Sequence, residues 1–518
     1  MKNTLQRYTP HVIVFFASLA IMIIELVASR LVAKYFGNSL YTWTGVIGVV
    51  LGGISLGNYI GGRLADRFEP SVVIMPVLLA SAASTLLILG LDALLNQFMG
   101  APGNNLTTAI VLRSVAVIAL LFLIPAAALG AISPIMAKYA LLHRTVIGQT
   151  VGNIYAVSSI GSIAGTFLAG FVLIPLFDLR IIIAVVGIVI AALGFLIQGK
   201  RPTAAIGAAA LLLLGTAAFV FVSPLSAVET GGKVLYSHFS QYSYIKVMDM
   251  TRGGTPTGER DLIMDGLIHN RRDLADSNHL LYEYENIFES ATELTMTSPA
   301  DKRRLRALTL GGGALTFPSF LTRNYHPTEN TVVELDPRVV SVAQRYFDVP
   351  TDPGPSVITG DARAVANELL GRRSYDVIYL DAFNSFSVPF HLTTVEFTRT
   401  LAGLLRPGGM LLTNTIDILD SGGFLTGYYN TLRAVFPQVK IYHDRSMNVH
   451  ARSTFVLCAS DSLALPDVLH DASGQVIAFA LDDAVIRALR ERNGSSPFTD
   501  YYAPVDNLMA PVFLRSVK

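Results

Sequence analysis

The chain is poor in cysteine, tryptophan and charge. Its 518 residues include one cysteine and one tryptophan, and Asp, Glu, Lys and Arg together make only 15% of it. Soluble proteins average about 25% charged residues. The single cysteine, Cys458 in "STFVLCAS", excludes an intrachain disulfide and a cysteine-rich metal site. In that apolar run it is expected as a buried strand residue. The ten histidines show no HExxH-type spacing, so no metal is expected. Net charge is +1 with no strong basic stripe, which argues against nucleic acid as a partner.

The scarcity of charge is uneven. Residues 1–225 hold 12 Lys+Arg and 5 Asp+Glu, while the remainder holds 27 and 33. The first part is apolar and basic, the second ordinary and mildly acidic, and the length exceeds one core. About 20 apolar residues cross a bilayer. Seven such runs are expected: 12–33, 43–61, 72–91, 109–131, 151–175, 181–198 and 204–223. The first is too long and carries Glu25 and Arg30, unlike a cleaved signal peptide. Glu25 in such a span is expected to pair, with Arg30 or a polar group of another helix. Glycine-dense stretches such as "GVIGVVLGGISLGNYIGG" and "GNIYAVSSIGSIAGTFLAG" suit close helix packing. "GGRLADRF" fits the short G-x-x-x-D-R loop of major facilitator transporters, Gly62 to Arg67. The bias of Lys and Arg among the loops puts the N-terminus in the cytoplasm. Seven spans would then put the second part on the far side from a cytosolic cofactor supply.

From Gly231 the pattern changes. "KVLYSHFSQYSYIKVMDM" and "ERDLIMDGLIHN" alternate like strands around the turn "TRGGTPTGE", a small β-rich lead-in over 232–270. Strands are then expected near 305–310, 330–335, 355–359, 375–380 and 409–414, and helices over 314–323, 337–346, 362–370 and 393–405. A helix near 422–435 precedes strands at 439–443 and 453–459. The alternation predicts an α/β, Rossmann-like sheet with helices on both faces. The fold class is therefore a multi-pass α-helical membrane domain (1–225) joined to an α/β domain (232–460), with a C-terminal extension (461–518).

Such sheets bind ligands beyond the carboxyl ends of their strands. Gly311, Gly312 and Gly313 follow the first strand, Glu334 the second, Asp361 the third and Asp381 the fourth. Glycines permit close backbone approach. A carboxylate 23 residues past Gly311 suits ribose hydroxyls. Asp361 is placed to accept from an adenine amino group, and Asp381 lies at the cleft's centre. Together these four strand ends suggest adenosyl binding.

"YSYIKV", "LIMDG", "LGGGA", "VELD", "GDAR" and "YDVIYLDAF", spread over 232–460, resemble the spermidine synthase family of aminopropyltransferases. "IIELVASRL", "LGAISPIMAK" and the tail "FTDYYAPVDNLM" resemble bacterial membrane proteins in which transporter-like spans are fused to a spermidine synthase domain. The resemblance implies a methyltransferase-type fold and transfer of an aminopropyl group from decarboxylated S-adenosylmethionine, or a related adenosyl sulfonium, to an amine. It implies a donor site at Gly311, Gly313, Glu334, Asp361 and Ala362, with Asp381 as the catalytic acid-base group. It implies an acceptor side at Tyr242, Ser243, Asp265, Glu283 and Asn384. A multi-pass protein of the bacterial cytoplasmic membrane is implied, in contact with the bilayer and compatible with a homodimer.

The departures from the family pattern concern the amine-reading groups. The usual GGGD reads GGGA with Ala314, the YQ pair is Tyr242-Ser243, the tyrosine–glutamate helix signature reads Leu281-Tyr282-Glu283, and the second Asp of DxxD is Asn384. A charge-assisted hydrogen bond contributes about 1.5–3 kcal/mol, so two lost carboxylates weaken the hold on a polycation. Glu283, Glu285 or Asp265 would have to compensate. The acceptor stays open between a polyamine and a lipid headgroup. Two alternatives stand beside aminopropyl transfer. One is a methyltransferase using intact S-adenosylmethionine, for which Ala314 makes room. The other is a transporter or sensor with a regulatory adenosyl site, against which Asp381 argues.

Overall fold

The structure is a computed structural model that describes residues 2–37, 40–99, 109–142, 146–197, 228–229, 231–296, 304–327, 329–382 and 388–515. The chain divides into two compact units, one built from Met1–Pro102, Ala109–Thr230 and Ser237–Tyr244, the other chiefly from Ile245–Lys518.

The first unit is helical: α1 (Lys2–Phe36), α2 (Leu40–Arg67), α3 (Pro70–Met99), α4 (Ala109–Gly130), α5 (Ile132–Leu141), α6 (Ile147–Leu168), the short α7 (Ile174–Leu176) and α8 (Leu179–Ile197). Among the described residues, five segments are long and apolar enough to cross a membrane: Tyr8–Phe36, Thr42–Arg67, Pro70–Leu95, Leu112–Leu141 and Ile147–Leu176. They fall on the first five expected spans. The sixth falls on α8, a shorter apolar helix over Leu179–Gly194. The seventh, 204–223, lies outside the described residues.

The glycines act in packing. A Cβ on Gly57 would collide with the Ala127 carbonyl of α4, and one on Gly161 with the Phe15 carbonyl of α1. Backbones this close let α2 lie along α4 and α6 along α1. The expected pairing of Glu25 with Arg30 is not made. Five residues on a helix separate side chains by about 140°, so the two cannot meet. A buried ion pair is made instead by Lys34 with Asp92, at 2.6 Å, with the Tyr35 hydroxyl donating to Asp92 at 2.9 Å.

The short strands β1 (Val228–Glu229) and β2 (Gly232–Phe239) precede an antiparallel meander of β3 (Tyr244–Arg252), β4 (Thr255–Met264) and β5 (Leu267–Asp273). The main sheet contains β6 (Arg306–Leu310), β7 (Glu329–Glu334), β8 (Ser356–Thr359), β9 (Tyr375–Leu380), β10 (Leu405–Asp417), β11 (Gln438–His443), β12 (Ser453–Ser460), β13 (Val468–His470) and β14 (Val476–Ala480). Its order is β13-β14-β11-β12-β10-β9-β6-β7-β8. The five strands β8, β7, β6, β9 and β10 run parallel, and β12 is antiparallel to β10 and β11. Strand order reverses between β6 and β9, the switch point where such sheets bind ligands. This is the Rossmann-like, methyltransferase-type sheet expected from the alternation. Cys458 lies fully buried in β12.

The residues after 460 do more than cover the sheet. β14 pairs with β11 (Tyr442↔Ala480) and so extends it, an addition that short runs such as "VIAFA" do not announce. Helices Asp483–Asn493 and Val505–Arg515 follow, and their Ile486, Leu489, Met509 and Val512 join the sheet's core.

Gly57→Val is expected to force α2 and α4 apart. Overpacking of this kind costs about 1–3 kcal/mol and should lower the thermal unfolding midpoint of the detergent-solubilised chain. An unchanged midpoint would contradict the packing.

Candidate active site

Beyond the carboxyl ends of the parallel strands lies a cavity of about 430 Å³. Its wall includes the glycine loop, Glu334, Asp361 and Ala362, and Asp381 from the ends of β6, β7, β8 and β9. All six donor-site and catalytic residues expected from sequence therefore meet in one hollow.

The loop's shape requires its glycines. Gly311 has φ +96° and a Cβ there would strike the Asp381 carbonyl; Gly313 has φ +48° and a Cβ would strike Asn270 Oδ1. Both backbones lie in the left-handed region that glycine tolerates. Glu334 pins the loop across the strand gap. Its Oε2 accepts from the Gly312 and Gly313 amides at 2.8 and 3.1 Å, and its Oε1 from the Asp336 amide at 3.0 Å. A carboxylate offers about four lone-pair sites, so one remains, on Oε1. Burial pushes the Glu334 carboxyl up, and the three amides oppose it.

Asp361 is also engaged. It caps the helix Ala362–Leu369, with Oδ1 accepting from the Arg363 and Ala364 amides, and Oδ2 lies 3.1 Å from His391 Nε2. Burial alone would raise its pKa, but the Ala364 amide, His391 and the Arg363 amide outweigh it and hold it below the ordinary carboxylate range.

Asp381 is gripped on both oxygens. Asn414 Nδ2 donates to Oδ1 at 2.9 Å and the Tyr284 hydroxyl to Oδ2 at 2.9 Å. Burial pushes its carboxyl above the ordinary range, against these two donors. Behind Tyr284 a polar chain runs inward. The Ala314 amide donates to Asn270 Oδ1, Asn270 Nδ2 donates to Thr316 Oγ1, and Thr316 donates to Glu285 Oε1 at 2.8 Å. Glu285 is 1% exposed. Burial pushes it up to about 8, opposed by Thr316 and reinforced by nearby Asp381.

Of the expected acceptor-side residues, Asp265 and Glu283 do not line this cavity. Tyr242 and Ser243 belong to the first unit, in a turn whose amides donate to Ser240 Oγ. Asp265 is buried in the β4–β5 turn at φ +46°; its neighbour Met264 lines the cavity and Asp265 does not. Glu283 is exposed on the first turn of the helix Glu283–Glu293. One residue on a helix turns a side chain by about 100°, so Tyr284 and Glu285 are buried in its place. Asn384 lies outside the described residues. Ala314 is fully buried with Ile245, Val247 and Leu262 and is not in the cavity wall. Its small side chain therefore opens no space in the cavity, against the expectation that it makes room for a donor carboxylate. Nor does Glu285 restore a lost negative charge, since its raised pKa keeps it neutral near pH 7.

Sequence reasoning missed Tyr284, Asn414, Asn270, His391 and Arg452, all of which line the cavity. Asn414 was accessible to the rule of looking at strand ends, since it closes the expected strand 409–414. Tyr284 stands on a helix, Asn270 on β5, His391 on a short 3-10 turn and Arg452 just before β12, none of them at the end of a parallel strand.

No protein-family model matches the chain. It is 40% identical over 139 residues to a polyamine aminopropyltransferase of Vibrio vulnificus, a stretch covering 27% of this chain and 46% of that protein. It is 32% identical over 142 residues to an N-terminal histidine N-methyltransferase of Emericella nidulans, covering 27% and 24%. The chain thus spans less than half the length of either relative. A probable spermidine synthase of known structure from Corynebacterium glutamicum is 26% identical with a TM-score of 0.44, covering 52% of this chain and 97% of that one. The C-terminal part of the chain is related in sequence to polyamine aminopropyltransferases.

Glu285 sets a pH dependence of stability. Unfolded, its carboxyl titrates near 4.5; folded, near 8. Its contribution is whole below 4.5 and is lost as pH rises through 8. The unfolding midpoint should fall between pH 5 and 9, and Glu285→Gln should flatten that fall. An equal slope in the variant would remove Glu285 as its source.

Proposed function

We propose that the second unit binds an adenosyl sulfonium and transfers an aminopropyl group from decarboxylated S-adenosylmethionine to an amine. The observation that carries this reading is the convergence of Glu334, Asp361 and Asp381 on one cavity around the glycine loop. The sequence relationship to polyamine aminopropyltransferases supports it.

In this reading Glu334 takes a ribose hydroxyl on the free acceptor site of Oε1. Asp361, with Ala362 beside it, borders the adenine, and His391 shares its Oδ2. The glycine loop lets the nucleoside approach the backbone closely. The sulfonium, when bound, supplies an electrophilic carbon and a neutral thioether leaving group. Asp381 takes the proton that an incoming ammonium must lose before its lone pair can attack. Tyr284 and Asn414 fix the plane of that carboxylate, so the base is oriented before the acceptor arrives. Its raised pKa makes it a better proton acceptor than a solvent-exposed aspartate. Its charge also draws a cationic amine toward a cationic donor, where the two would otherwise repel.

The domain assignment that goes with this reading is a membrane domain over 1–225, an adenosyl-binding domain over 232–460 and an extension over 461–518. The five apolar helices support a multi-pass membrane protein by their length and composition. One observation favours a second reading, methyl transfer from intact S-adenosylmethionine: the 32% identity over 142 residues to an N-terminal histidine N-methyltransferase.

Product analysis separates the two. Methylthioadenosine released from the decarboxylated donor by the full chain in detergent supports aminopropyl transfer, and S-adenosylhomocysteine from the intact donor supports methylation. Asp381→Asn should lower turnover by a factor of about 10²–10⁴ and leave methylthioadenosine affinity intact; loss of binding instead would refute the base assignment. Turnover requires ionised Asp381, so the rate should fall with falling pH through a midpoint above the ordinary 3.8. Glu334→Ala should weaken nucleoside binding, and unchanged affinity would remove the ribose contact.

A further inference from the structure

The sheet order lays the cavity out as a line. Asp361 stands at the end of β8, Glu334 of β7, the glycines of β6 and Asp381 of β9. The line continues with Asn414 and Ile416 on β10, then Arg452 and Thr454 at the start of β12. Because β12 is antiparallel and Asp417 pairs with Ser453, its start lies at the same edge as the ends of the parallel strands. Neighbouring strands are about 4.8 Å apart. In the proposed reading the nucleoside covers β8 to β6 and the reacting carbon sits at β9. The acceptor must then lie over β10 and β12, about 10 Å of cavity floor.

That half of the cavity is not built for a polycation. Its wall, beyond Asp381, has no ionised carboxylate among the described residues. Glu285 lies behind Tyr284 outside the wall and is neutral. His269 lines this end; burial lowers it to about 4, so it is neutral as well. Its Nδ1 lies 3.0 Å from the Leu267 carbonyl, the geometry of a donated hydrogen bond. Among the described residues of the wall, the full charge facing the acceptor half is Arg452, an exposed side chain at the cavity's edge. Among the described residues its guanidinium makes no hydrogen bond and no ion pair, while other arginines of the same unit are paired, as Arg271 is with Asp261 at 2.7 Å.

We propose that the acceptor is an amine that also carries an anionic group, a carboxylate or a phosphate, bound by Arg452 while the amine reaches Asp381. This rests on the adenosyl-transfer reading and names its acceptor class. A guanidinium pairs with either anion through two parallel hydrogen bonds. The distal ammonium of a diamine in the same place would meet a like charge and no partner. The two fixed charges, Asp381 and Arg452, match a zwitterion bound in one orientation.

The test is titration calorimetry on the full chain in detergent. Methylthioadenosine is titrated first, and acceptors are then added to the saturated protein. The probes are 4-aminobutyrate, phosphoethanolamine and 1,4-diaminobutane, which share a primary amine and differ in the distal group. At least one anionic amine should bind about tenfold or more tightly than the diamine. 4-Aminobutyrate alone points to a free amino acid, and phosphoethanolamine alone to a headgroup-like phosphate. Arg452→Gln should weaken the anionic amine about tenfold or more, Arg452→Lys should weaken it less, and Arg452→Glu should turn the preference toward the diamine. Methylthioadenosine binding should survive all three changes. Tighter diamine binding to the unmodified protein, binding of no amine, or an Arg452→Gln affinity equal to the original overturns the proposal and leaves the nucleoside site standing. Failure of methylthioadenosine itself to bind overturns both.

Discussion

The contact on which the site depends is the one between Glu334 and the loop it pins. A carboxylate at the end of β7 accepts the amides of Gly312 and Gly313 at the end of β6. It thereby holds a left-handed backbone that only glycine accepts cheaply. On the other side the Asp381 amide donates to Leu310 at 2.8 Å, and the Asp381 carbonyl leaves no room for a Cβ at Gly311. Three strand ends are thus locked by backbone and carboxylate together. The hollow is shaped by contacts within the chain itself.

The charges of the cavity follow from how each carboxyl is satisfied. Asp361 is held by amides and His391 and stays ionised. Asp381, deeper, has two neutral donors and a raised pKa, which suits proton transfer. Glu285, deeper still, has one oxygen on Thr316 and the other with no hydrogen-bond partner, and it remains protonated near neutral pH. Burial increases along this series and the readiness to carry charge falls. The result is fixed negative charge toward the β7–β8 end of the cavity and the positive charge of Arg452 toward the β12 end.

Much of this was legible in the sequence. The period of the apolar residues announced the parallel strands and the helices between them. The rule that ligands sit beyond strand ends then led to Glu334, Asp361 and Asp381. What was not legible depends on direction. "LYEYEN" contains two tyrosines and two glutamates, and only the helix's phase decides that Tyr284 and Glu285 turn inward while Glu283 faces out. Ala314 looked like a gap where a carboxylate had been, yet it is packed into the apolar cluster beneath the meander. Arg452 precedes a strand rather than following one, so a search of strand ends passes over it; only the antiparallel setting of β12 brings it to the cavity.

The central claim is that strand-end carboxylates form one nucleoside cradle leading to Asp381. Its most direct test is the density of methylthioadenosine bound to the full chain in detergent. The account predicts the ribose within hydrogen-bond distance of Glu334, the adenine beside Asp361 and the thioether sulfur turned toward Asp381. A nucleoside seated elsewhere, or one whose sulfur points away from Asp381, would contradict it.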